Sequence, residues 1–122
     1  MIAGVHAIIF AEDAERARAF LRDVLGFEAV DAGAGWLIFA LPPAELAVHP
    51  GQGWGREPGH HALFLMCQDL EQAVEELQRK GARFASSIED QGWGRIAQLE
   101  IPGAGEIGLY EPRDPGPLRE FQ

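Results

Sequence analysis

Four histidines (His6, His49, His60 and His61), one cysteine (Cys67), and the pair Glu106 and Tyr110 are the side chains of this 122-residue chain whose types could do chemistry. Imidazole and carboxylate together suit a hard divalent cation. Residue type alone leaves plainer roles open. A lone strand histidine such as His6 is more often a hydrogen-bonded sheet residue than a ligand. His60-His61, directly after Gly59, also fits a loop–strand junction, and Glu106 beside Gly105 fits a turn carboxylate. Tyr110 fits either a hydrogen-bonding group in a cavity or an edge-strand core residue. Cys67 stands in an apolar run, where an inert buried thiol is expected. A single cysteine excludes an internal disulfide and a thiolate metal cluster.

These side chains need elements to hold them. Val5 to Ala11 is a short apolar run rich in β-branched and aromatic types, which predicts a buried strand. Asp13 is placed to cap a helix. Behind it Ala17, Phe20, Leu21, Val24 and Leu25 recur at helical spacing, and Gly26 ends the run. Short strands are expected at 27–30, 36–41 and 45–49, separated by Gly and Pro punctuation. A glycine-rich connector spans 51–59. The pattern then restarts, with a strand over 60–67, a capping box from Asp69 to Gln72, and a helix lined by Leu70, Ala73, Val74 and Leu77. Gly81 stops that helix. Three more strands are expected at 82–85, 95–101 and 106–110, followed by a proline-containing tail over 113–122.

The restart is a duplication. Caps Asp13 and Asp69, stops Gly26 and Gly81, the pairs Gly35-Trp36 and Gly92-Trp93, Leu41-Pro42 and Ile101-Pro102, and the segments 45–48 and 106–109 occur in the same order. Their separations drift only from roughly 55 to 61 residues, as loop insertions would make them drift. The expected fold is therefore α+β: one domain of two tandem β-α-β-β-β modules, about 4–50 and 60–112, forming a curved mixed sheet with the helices on its convex side. The concave face is then the natural small-molecule site. The repeat of Gln52-Gly-Trp-Gly-Arg56 as Gln91-Gly-Trp-Gly-Arg95 does not share the duplication offset, and reads as similar loop chemistry around an aromatic anchor.

Composition sets the outer limits. Nearly half of the chain is apolar, enough for a core, and the formal charge is -9. That charge repels phosphate backbones, so nucleic acid is not expected as a partner. No apolar run reaches membrane-spanning length, and the first residues lack the pattern of a signal peptide. A cytoplasmic protein with no membrane partner is the expectation.

The run from His6 to Asp13 and the helix end Val24-Leu25-Gly26-Phe27 resemble the opening of the vicinal oxygen chelate superfamily. This is the group of glyoxalases, extradiol dioxygenases, methylmalonyl-CoA epimerase and bleomycin-resistance proteins. Asp69-Leu70 with Leu77 and Gly81 resembles the helix of its second module. Ile101 to Tyr110 resembles its closing strand, normally a Pro-Asp-Gly turn before a strand carrying a glutamate. The resemblance implies a metal site built from the first and last strands of both modules, with His6 at the first position. At the other three positions the chain has Ala47, Ala62 and Gly108. A divalent metal would then need His6, His60 or His61, and Glu106, with shifts of register.

Two functions follow as expectations. The first is a small-molecule-binding protein of the glyoxalase/bleomycin-resistance type without the full metal site and with no assigned cofactor. Its cup would be lined by His6, Ile8, Phe10, His49, Phe64, Met66, Trp93 and Tyr110. The alternative is a divalent-metal-dependent lyase, isomerase or dioxygenase. A non-catalytic module whose cup is filled by a partner or by its own tail is a third, weaker reading. A homodimer is implied by the resemblance.

Overall fold

A computed structural model of the chain describes residues 6–47, 61–92, 94–113 and 117–118. The elements run α1 (Ala14–Asp23), β1 (Ala29–Asp31), β2 (Leu37–Phe39), β3 (Phe64–Met66), α2 (Leu70–Arg79), β4 (Glu89–Asp90), β5 (Gly94–Glu100) and β6 (Glu106–Pro112). The fold is α+β, with an open sheet in two pieces. In the second module the four strands lie in the order β3-β6-β5-β4. Here β3 runs parallel to β6 and the other neighbours are antiparallel. The first module contributes the antiparallel pair β1–β2.

Both helices begin as their caps dictate. The Asp13 carboxylate accepts the Arg16 N–H at 3.1 Å, and the Asp69 carboxylate accepts the Gln72 N–H at 3.1 Å. Gly26 and Gly81 follow the helices at φ +74° and +92°, the left-handed geometry that lets the chain turn away. Alternation then sorts the strands. Ala97, Leu99 and Ile101 with Ile107 and Leu109 face the helices and form one core with Leu70, Ala82, Ala17 and Phe20. The last two come from α1, so the first module's helix packs into the second module's core. Its start is fixed there by the Asp13 N–H, which donates to the Gly103 carbonyl at 3.1 Å. The approach is close: a Cβ on Gly103 would lie 2.8 Å from that of Asp13. On the outer side of α1 the Arg18 guanidinium sits 4.7 Å from the Trp36 ring centroid and ties the β1–β2 hairpin to the helix.

Several expected strands are changed. Residues 6–11 form no strand, and Ile8 and Phe10 are exposed at 65% and 88%. Residues 45–47 are also irregular. Both were expected as strands of the curved sheet, and among the described residues no ladder pairs either of them. The strand expected at 82–85 is reduced to a single bridge between Phe84 and Leu99, and the pairing resumes at β4. The strand expected over 60–67 is confined to Phe64–Met66, while β6 runs on to Pro112.

Candidate functional site

The face of β5 and β6 away from the helices carries Ile96, Gln98, Glu100, Glu106, Gly108 and Tyr110. Register places Phe64 beside Gly108 and Met66 beside Tyr110 on the same face. Gly108 is buried because Phe64 covers it: a Cβ there would lie 2.3 Å from Phe64 Cδ1 and 2.6 Å from Cε1. The Phe64 and Tyr110 rings meet edge to face, 6.3 Å between centroids at 66°.

Beside this aromatic pair is a cavity of about 270 Å3. The first module supplies Ile8 and Ile9, and the approach to β3 supplies His61, Ala62, Leu63 and Phe64. The β5–β6 hairpin supplies Gln98, Ile101, Glu106, Ile107 and Gly108. Of the cup residues expected from sequence, Ile8 and Phe64 line this cavity. His6, Phe10, Met66 and Tyr110 do not: His6 and Phe10 face solvent, and Met66 and Tyr110 lie further along the sheet. His61 and Glu106 both line it. His49, His60 and Trp93 lie outside the described residues. Strand alternation would turn His61 toward the helices, but 61–63 precede β3 and are not extended in a ladder, so consecutive residues reach one cavity. Ile9, Leu63 and Gln98 were not singled out from the sequence. The signal for Gln98 was the alternation of Ile96, Gln98 and Glu100 with Ala97, Leu99 and Ile101.

The ligand set implied by the resemblance does not fit a metal. Ala47 and Ala62 offer no donor atom, and the space where a side chain at Gly108 would project is filled by the Phe64 ring. Among the described residues the group with three carboxylates close together is Asp69, Glu71 and Glu111, on the opposite, helix-side face. It is already engaged by a cation. Arg95 donates from Nη1 to Glu71 Oε2 at 2.7 Å, and from Nε to Glu111 Oε2 at 2.9 Å. The Leu70 N–H, in the first turn of α2, donates to Glu111 Oε1 at 2.9 Å. This network is a latch between β5, β6 and the start of α2. Close by, burial first and the Glu111 charge second push the Cys67 thiol up to about 11, which keeps it protonated and unreactive near neutrality.

The latch has a pH signature. Hydrogen bonding to the Arg95 guanidinium holds the Glu71 carboxyl down to about 2 from its usual 4.5, and the same guanidinium lowers Glu111. Both carboxyls bind protons less readily in the folded chain than in the unfolded one. The stability they contribute is therefore fully present above about pH 4.5 and is lost as pH falls toward about 2. Urea unfolding across that window is expected to show a falling midpoint, with a shallower fall in Arg95→Met. Equal acid slopes in the two proteins would exclude the latch as a source of acid sensitivity.

The comparisons with known proteins agree with this architecture. The family model for the glyoxalase/bleomycin resistance protein/dioxygenase superfamily matches residues 4–116. A solved member of that superfamily from Sphaerobacter thermophilus is 28% identical, with a TM-score of 0.61 over 89% of this chain and 97% of its own. TnmS3, an antibiotic-binding protein from a Streptomyces species, is 24% identical at TM-score 0.61, over 92% of this chain and 99% of its own. A lactoylglutathione lyase from Agrobacterium tumefaciens shares the fold at 14% identity and TM-score 0.62, over 88% and 92% of the two chains. No curated protein sequence matches the chain. With the β3-β6-β5-β4 order and a family match over nearly its whole length, the chain belongs to the glyoxalase/bleomycin resistance protein/dioxygenase superfamily.

Proposed function

We propose that this chain binds a small apolar or aromatic molecule in the cavity between Ile8 and the β5–β6 hairpin, and does so without a metal. The observation that carries the reading is the Phe64 ring packed on Gly108. The place where the superfamily's closing strand holds its metal-binding glutamate is here a hydrophobic contact beside a cavity. The cavity sets side chains of Ile8, Ile9, Leu63 and Phe64 against the polar groups of His61, Gln98 and Glu106, and convergent polar groups in a concavity are what orient a small molecule. The likeness to an antibiotic-binding protein supports the same reading. A cavity of about 270 Å3 suits a ligand of one or two rings. On this reading the exposed apolar side chains Phe10, Val30 and Leu46 are covered by a second copy of the chain.

The test is calorimetric titration of chelator-treated protein with a panel of one- and two-ring aromatic compounds. Saturable binding of at least one compound near one per chain is expected, unchanged by added zinc or magnesium and weakened about tenfold or more by Leu63→Trp, which fills the cavity. Sedimentation of the same sample is expected to give the mass of two chains. One tightly held divalent ion per chain after purification without added metal, with ligand binding lost on its removal, would instead establish the metal-dependent lyase, isomerase or dioxygenase.

A further inference from the structure

We propose that the cavity selects a cation: a ligand with an apolar body and a protonated nitrogen, the nitrogen received by Glu106. This rests on the binding reading above and adds the chemical class of the ligand. The walls contributed by Ile8, Ile9, Leu63, Phe64 and Ile101 are hydrocarbon. The polar groups among them are Glu106, Gln98 and His61, and among the described residues no lysine or arginine lines the cavity. Glu106 is the one carboxylate in that lining.

Glu106 does not stand alone on its face. Register pairs it directly across the ladder with Glu100, and both are exposed. Like charges directly opposite one another on an antiparallel ladder are destabilising. Elsewhere among the described residues, some carboxylates are given a counter-cation. Arg95 serves Glu71 and Glu111, and Arg113 serves Asp90. Among the described residues, no ion pair or hydrogen bond is made by the side chain of Glu100 or Glu106. Glu71 and Glu111 are thus neutralised internally, while Glu106 at the cavity and Glu100 across the ladder from it are not. A protonated amine held beside Glu106, with its apolar body against Ile8, Leu63 and Phe64, would supply the missing charge. An anionic ligand would enter against both glutamates and against the net charge of -9.

Three probes on one naphthyl body vary the charge, the first two of them isosteric: 1-naphthylmethylammonium, 1-naphthylmethanol and 1-naphthoate. Their affinities are measured by calorimetry on the wild-type chain, Glu106→Gln, and Glu75→Gln. The last removes the same unit of charge from the exposed face of α2. In the wild type the ammonium is expected to bind about fivefold tighter than the alcohol, equivalent to ~1 kcal/mol, and the carboxylate weakest. Glu106→Gln is expected to bring the ammonium to the alcohol's affinity and leave the alcohol unchanged. Glu75→Gln is expected to behave as wild type. Equal binding of ammonium and alcohol by the wild type, or a preference that survives Glu106→Gln, overturns cation selection and leaves the binding reading standing. Failure of all three probes to bind also overturns it for this cavity. Failure of the whole aromatic panel is what would sink the reading beneath it.

Discussion

Gly108→Glu is expected to lose about 1–3 kcal/mol of stability and to take up no divalent metal. The substitution restores the residue type that the superfamily carries in its closing strand, so a reading by residue type alone predicts a gain of metal affinity. Geometry predicts the reverse. The new Cβ would lie 2.3 Å from Phe64 Cδ1, inside any tolerable contact, so either the strand moves or the ring leaves. Phe64 is 38% exposed and has room to rotate outward, at the cost of its buried area and its edge contact with Tyr110. The carboxylate would then share its face with Glu106 and Glu100, with no donor at 62 or 47 to complete a ligand set. The diagnostic experiment is a double-mutant cycle with Phe64→Ala, read by urea unfolding and elemental analysis. Gly108→Glu should cost less by about 1 kcal/mol or more in the Phe64→Ala background, because the obstacle is already gone. Additive costs, or stoichiometric metal in the single variant, would show that the ring is no barrier.

The largest loss of stability is expected at Leu99→Ala. Leu99 is 0% exposed, pairs with Ile107 across the β5–β6 ladder, and is bridged to Phe84. It sits where residues from α1, α2 and the sheet meet in one core. Removing its branched end leaves a void that strands fixed on both sides cannot close, at a cost of about 2–5 kcal/mol. That is a large part of the 5–15 kcal/mol typical of a whole domain. The urea midpoint should fall with the slope unchanged. A loss below about 1 kcal/mol would mean that this core is looser than its burial implies.

The parts of the fold that were legible in the sequence are those set by local chemistry. Asp13 and Asp69 read as caps because a short carboxylate reaches the N–H of the first turn and needs nothing distant. Gly26 and Gly81 read as stops for an equally local reason. The apolar runs of β5 and β6 read as strands because each is long enough to alternate. The run at 6–11 carries the same composition, yet its strand depends on a partner some distance along the chain, and composition does not say whether that partner arrives. The cavity was legible in the same uneven way. That Ala47, Ala62 and Gly108 stand where the resemblance implies ligands could be seen by inspection. What fills the space above Gly108 could not, because Phe64 reaches it only through the parallel β3–β6 pairing. The Arg95 latch was hidden for a similar reason: Glu71, Arg95 and Glu111 come from three different elements. Gln98 and Leu63 entered the cavity by register and by an irregular approach, neither of which residue type announces.

The loan of α1 to the second module bears on how this protein comes apart. Apart from Ala17 and Phe20, every buried apolar residue among those described belongs to the second module. Among the described residues, the β1–β2 hairpin is held by its own ladder, by Arg18 against Trp36 and by the Phe27 N–H donating to the Leu21 carbonyl. The repeated unit is therefore not expected to be the unit that melts. One cooperative block of the second module plus the borrowed helix is expected, with opening of the hairpin costing less than its unfolding. Amide protons of β5 and β6 would report the global unfolding equilibrium. Those of β1 and β2 would exchange through openings that leave the core intact. In the single chain the hairpin is then expected to open before the core does, and a second copy lying over Val30 would slow that opening.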